Sequence, residues 1–249
     1  MRLKCLGCEA LARLIYTCAA RSPHLVDVSL FQLGLHLKPA DLRQRLQAEI
    51  DAASQQDYDS ILLVYGLCGR ATEGLVARQI PVIIPRAHDC ITLFLGDRQL
   101  YKQQQALCPG TYWYALDYIE RGKLAGNEFA ALGADSDIQP VYEEYVAKYG
   151  KDNADYLMEV MGAWKSHYQR AVYLEMGVGD GREVEARAQA EALRRGWTFE
   201  KMAGDLRLLQ RLFDGDWEKD FLVLKPGQGV SMSLDDDVIY SVDNDHNSA

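Results

Sequence analysis

No apolar run in the chain approaches the roughly 20 residues a membrane-spanning helix needs, and the basic start Met1-Arg2-Leu3-Lys4 leads into no apolar segment long enough for a secretion signal. The expectation is a soluble, cytoplasmic protein with no membrane partner. Positive charge is also short. Lys and Arg number 27 against 36 Asp and Glu, a formal net charge of −9, and phosphate backbones are bound by a positive face, so no nucleic acid is expected as partner. The GxSxG elbow, the HExxH helix and the kinase signatures are all missing, which leaves hydrolase and kinase chemistry unsupported. Cys5-Leu6-Gly7-Cys8 has the form of a CxxC, but no second one exists to complete a zinc ribbon or a ferredoxin pattern.

What the chain does have is apolar content for a packed core, 48% over 249 residues. Its six cysteines suit reduced thiols better than a disulfide framework in a chain of this size. Cys18 and Cys108 fall in helix-like or loop contexts and read as bystanders.

The first 106 residues read as a β-α alternation. Strands are expected at 3–8, 24–33, 57–65 and 82–85, with helices at 9–20, 39–54 and 72–79 between them. Pro39 suits the first turn of its helix, and Leu42, Leu46, Ile50 and Ala53 make one apolar face. Short connections in this alternation imply an α/β fold with a parallel, doubly wound sheet of Rossmann or flavodoxin-like type. From 107 to 169 the rhythm gives way to a helical insertion. A helix over 93–105 leads into it, and an aromatic series follows at Tyr142, Tyr145, Tyr149, Tyr156 and Trp164. The alternation resumes over 170–233, with strands at 171–176, 197–203 and 221–224 and helices at 183–195 and 206–213, suggesting a second βαβαβ half. Residues 234–249, rich in Asp, Asn and Ser, read as a solvated polar tail.

Chemistry-capable residues gather where the early strands end, which in open α/β sheets is where ligands bind. Residues 60–70 (SILLVYGLCGR) and 81–90 (PVIIPRAHDC) each run from a buried strand into a turn, and the first strand ends at Cys8. In a 2-1-3-4-5 strand order, with neighbours about 4.8 Å apart, Cys8, Cys68 and Cys90 would line one crevice, with His88 or His36 as a fourth ligand. Three thiolates and an imidazole suit Zn²⁺, and equally an iron-sulfur cluster. The alternative is that each cysteine is simply core. Arg70 and Arg86 stand beside these cysteines, either to hold a small anionic substrate or as surface ion pairs. Glu9 and Asp89 are candidates for proton transfer or for orienting a histidine, although Glu9 also suits a helix N-terminus. Tyr112 and Trp113 could wall a flat ligand or pack in the core. Gly177, in the GVGDG turn at 177–181, and Asp205 after the next strand are weaker candidates for contacting substrate, since the turn has neither GxGxxG spacing nor a Walker lysine.

The runs GCEAL at 7–11, GLH at 34–36, YGLCGRA at 65–71, PRAHDCITLFLG at 85–96, GTYWY at 110–114 and GDLRLLQRLFDGDWEKDFLVLKPG at 204–227 together resemble a bacterial and archaeal family, domain of unknown function 1638. The resemblance covers almost the whole chain. It implies emphasis on Cys8, Glu9, His36, Cys68, Arg86, His88, Asp89 and Cys90, and a context of corrinoid proteins and corrinoid-dependent methyltransferases. The expectation is a Zn²⁺ protein serving methyl or other one-carbon transfer, with corrinoid reached only through a partner. The rivals are an iron-sulfur or redox protein on the same cysteines, and a non-catalytic accessory protein that docks on a corrinoid carrier or methyltransferase through Tyr145, Tyr149 and Trp164.

Overall fold

A computed structural model of the chain describes residues 1–124, 151 and 168–243. The chain forms two compact units. The first comprises 1–101, 176–178 and 203–249, and the second 102–175 and 179–202. This partition differs from segments read along the chain at 106, 169 and 233, because the first unit takes up the C-terminal residues again.

The first unit is built on a five-stranded, mostly parallel sheet. Strand β1 (Arg2–Cys8) lies between β2 (Leu25–Phe31) and β3 (Ser60–Val64), and β4 (Val82–Pro85) follows β3, all four parallel. The edge strand β8 (Phe221–Leu224) is antiparallel to β4, giving the order β2-β1-β3-β4-β8. Every residue of β3 and β4 is buried, as their β-branched and leucine runs require of strands covered on both faces. Helix α1 (Ala12–Arg21) follows β1 after a short 3-10 turn at Glu9–Leu11. Helix α2 (Pro39–Ala53) starts with Pro39 in its first turn and buries Leu42, Leu46, Ile50 and Ala53. These pack against Leu6, Ile61, Leu63, Tyr65, Val82 and Ile84, each buried leucine contributing about 1.5–3 kcal/mol.

Three local expectations give way to tertiary pairing. Residues 72–79 form no helix. The Gly74 and Ala77 amides donate to the Val230 and Gln228 carbonyls at 2.8 and 2.9 Å, and the Val230 amide donates to the Leu75 carbonyl at 2.9 Å. Residues 74–77 therefore lie beside β9 (Gln228–Met232), with a bridge between Val76 and Gly229. The helix expected over 93–105 is two, α3 (Cys90–Leu95) and α4 (Arg98–Leu107). Gly96, at φ 66°, ends the first, and Asp97 Oδ1 caps the second by accepting the amides of Gln99 and Leu100 at 2.7 and 3.0 Å. The tail is not wholly solvated either. Strand β10 (Ile239–Asp243) pairs antiparallel with β9, and Val238 and Ile239 are buried.

The second unit carries β5 (Thr111–Ala115), parallel to β6 (Arg170–Glu175), with β7 (Thr198–Ala203) beside β6. Helices α5 (Leu116–Leu124) and α6 (Arg182–Arg195) accompany this three-stranded sheet. A second βαβαβ half is not realised: β6 and β7 belong to this sheet, whereas β8, reached through α7 (Arg207–Asp214), joins the first. The segment 107–169 contributes a strand, β5, as well as helix. Its aromatic positions Tyr142, Tyr145, Tyr149, Tyr156 and Trp164 lie outside the described residues.

Candidate functional site

Because β1, β3 and β4 are adjacent and parallel, their C-terminal ends share one edge of the sheet. Cys8 closes β1, Cys68 lies in the turn after β3, and Cys90 opens α3 after β4. The turn after β3 is held to the chain beyond β4 by two backbone hydrogen bonds, Leu67 N to the Ala87 carbonyl at 2.8 Å and Cys68 N to the His88 carbonyl at 3.0 Å. Gly66 makes this approach possible, since a Cβ there would stand 2.6 Å from Asp89 N and 2.7 Å from Asp89 Cα. Cys68 itself has φ 44° and Arg70 φ 69°, left-handed conformations that non-glycine residues adopt at a cost of about 1–2 kcal/mol. Such strain gathers at ligand and active sites.

The three thiols are electrostatic neighbours. Burial pushes the Cys68 thiol up to about 12, with Cys8 and Asp89 adding to the rise. Cys90 is raised well above its ordinary value by burial, then by Asp89, Cys68 and Cys8. Tyr65 is raised by burial and by Cys8 and Cys68, and its buried hydroxyl has the Cys8 thiol beside it without good hydrogen-bond geometry. Among the described residues no three His, Cys, Asp or Glu side chains already stand in metal-ligand positions. Cys5 and Cys18 are fully buried.

Asp89 is fully engaged. Its Oδ1 accepts the amides of Ile91 (2.9 Å) and Thr92 (3.4 Å) as the N-cap of α3, and its Oδ2 accepts the Tyr101 hydroxyl at 2.8 Å. Burial nonetheless raises its pKa, with Tyr101, the two amides and His88 opposing the rise. His88 is exposed and stacks on Tyr101, with centroids 5.9 Å apart. His36 lies in the 3-10 turn Leu35–Leu37, whose backbone approaches the turn of Cys68: the His36 carbonyl is 3.8 Å from a Cβ placed on Gly69. Burial lowers the His36 pKa, which favours the neutral form of its imidazole. Glu9 accepts the Leu33 amide at 3.2 Å.

The arginines expected to hold an anion have other partners. Arg70 is exposed and pairs with Glu73 at 2.7 Å. Arg86 donates to the carbonyls of Ile239 and Asp237 and lies 3.8 Å from the Asp237 carboxylate, clasping the β9–β10 hairpin. Gly177 has φ 66° and open space around it. Asp205, just before α7, accepts the Arg207 amide at 2.8 Å and pairs with the Arg207 guanidinium. Tyr112 and Trp113 are on β5 in the second unit, where Tyr112 packs against Tyr114, Tyr168 and Trp197. Sequence reasoning missed Tyr65 and Tyr101. Tyr65 was visible as the last residue before the Gly66-Leu67-Cys68 turn, whereas nothing in the spacing of Tyr101 tied it to Asp89.

No curated protein and no solved structure matches the chain. The family described as "Protein of unknown function (DUF1638)" matches residues 30–213, most of the chain, including Cys68 and Cys90 but not Cys8 or Glu9, and the protein belongs to that family.

Proposed function

We propose that the protein binds a soft metal ion, Zn²⁺ first, through Cys8, Cys68 and Cys90, with His36 or His88 as fourth ligand, and that this site serves methyl or another small-group transfer. The observation that carries the reading is the gathering of three thiols at the C-terminal ends of three adjacent parallel strands, Cys8 after β1, Cys68 after β3 and Cys90 after β4. Neutral, half-buried thiols bind an ion by releasing protons, so the pressure against thiolate formation is relieved when a cation arrives. The neutral imidazole of His36 fits the same donor set. Loading requires the thiol side chains to rotate toward a common centre.

Bound Zn²⁺ would supply Lewis acidity or activate a thiol. The chain's own contribution is positional. Asp89 and Tyr101 fix the start of α3 and therefore Cys90, while the glycine contact at Gly66 fixes the Cys68 turn. The strand order β2-β1-β3-β4, with α2 packed on one face and other fully buried strand residues such as Leu62 and Ile83 alternating to the other, supports a doubly wound, flavodoxin-like reading of the first unit. The corrinoid-linked context, with corrinoid held by a partner, rests on the family resemblance and is part of the proposal.

The test is elemental analysis with an absorption spectrum on anaerobically prepared protein, wild type and Cys68→Ala. Stoichiometric zinc that the variant loses supports the reading. Iron with sulfide and a brown chromophore would move the assignment to a cluster on the same cysteines. Metal-free protein that takes up no added Zn²⁺ would overturn both.

A further inference from the structure

The first unit contains a second polar feature, at the far end of α3 from Cys90. Gly96 ends that helix, and just beyond it a cleft of about 310 Å³ opens between the start of α4 and α7. Its charged walls are Arg98, Arg207, Arg211 and Lys219, facing the carboxylates of Asp97 and Asp220. Four cations and two carboxylates line the cleft, and Asp205, Asp216 and Glu218 just outside the lining pair with Arg207 and Arg211.

The four cations divide into two kinds. Arg98 and Arg211 are fixed wall charges. Asp220 receives Arg98 at 3.5 Å and Arg211 at 2.7 Å, Arg98 also donates to the Asp236 carbonyl, and Arg211 pairs with Asp216 at 2.7 Å. Arg207 and Lys219 are not used in this way. Arg207 is 71% exposed and pairs with Asp205 only through Nε, so that its terminal nitrogens have no hydrogen bond among the described residues. Lys219 is exposed and makes no ion pair or hydrogen bond among the described residues. The terminal nitrogens of Arg207 and the Lys219 ammonium, both exposed and without hydrogen bonds of their own among the described residues, match a ligand with several acceptor oxygens.

We propose that this cleft binds the phosphoryl group of a small phosphate monoester, with Arg207 and Lys219 as its direct contacts. The volume is at the lower end for ligand pockets, which suits a phosphorylated small molecule rather than a dinucleotide. The proposal gives an anion-binding role to residues that show no spacing motif, whereas Arg86 is committed to hairpin carbonyls. It does not depend on the metal reading of the thiols.

The experiment is calorimetric titration of the full chain with inorganic phosphate and with glycerol 3-phosphate, in wild type and in R207Q/K219Q. Both side chains are exposed, so the variant should keep its circular dichroism spectrum and unfolding transition. Saturable binding of both probes, weakened at least about tenfold in the variant and by added salt, is the expected result. Absence of saturable binding in wild type, equal affinity in the variant, or equally tight binding of succinate would overturn it.

Discussion

Gly66→Ala tests the close approach that brings the Cys68 turn against the start of α3. The glycine is not in a left-handed conformation, so alanine suffers no backbone penalty there, and space is the only obstacle. An added Cβ would meet Asp89 N at 2.6 Å, Asp89 Cα at 2.7 Å and the His88 carbonyl carbon at 2.9 Å. These are backbone atoms and cannot rotate away. The turn must move outward, which costs about 1–3 kcal/mol for overpacking. The hydrogen bonds of Leu67 N (2.8 Å) and Cys68 N (3.0 Å) would stretch as it moves, at about 0.5–1.5 kcal/mol each. The expected loss is about 2–4 kcal/mol, read by urea unfolding. With two compact units unfolding need not be two-state, so amide exchange of Leu67 and Cys68 is the sharper measurement and should speed up before the rest of the sheet. Gly69→Ala is the control. It sits at φ +64° with its nearest neighbours at 3.8 Å, and should lose about 1–2 kcal/mol from backbone strain alone. A Gly66→Ala protein within about 0.5 kcal/mol of wild type, with unchanged exchange at those two amides, would refute the reasoning.

Arg86→Met should release the β9–β10 hairpin, whose Ile239 and Asp237 carbonyls Arg86 holds. The expected loss is about 1–3 kcal/mol, with faster amide exchange over residues 228–243. Glu191→Gln should lower stability in the second unit at neutral pH. Burial would raise the Glu191 carboxyl, but the guanidiniums of Arg194 and Arg195, at 2.7 Å and closer, hold it below its ordinary value of 4.5. A depressed folded pKa contributes stability above the unfolded value and loses it as pH falls through the folded one. The variant should therefore be about 0.5–1 kcal/mol less stable at pH 7 and indistinguishable once the pH is below the folded pKa, measured by thermal unfolding across that range.

The residues of β1, β3 and β4 and the Leu42-Leu46-Ile50 face of α2 were legible in the sequence because each depends on local periodicity and on burial of uniformly apolar runs. So was the candidate edge, since parallel strands joined by crossovers must end on one side. What local periodicity could not carry were choices between partners. Residues 72–79 have helix-compatible composition, yet Gly74, Leu75 and Ala77 pair with a strand about 155 positions later. Strand β8 follows β6 and β7 in rhythm but completes the other sheet, and the acidic tail supplies β10 because Val238 and Ile239 are buried there.

Composition and spacing by themselves determined the α/β class, the parallel first strands and the three cysteines at strand ends, because period-2 and period-3.6 patterns are written within short windows. Only the tertiary structure decided which charges face each other. It tied Arg86 to a hairpin carbonyl, Tyr101 to Asp89, and drew Arg98, Arg207, Arg211 and Lys219 around one cleft from positions more than a hundred residues apart. A side chain's electrostatic partner depends on distance in space, and the sequence records that distance only after the sheet order has been chosen.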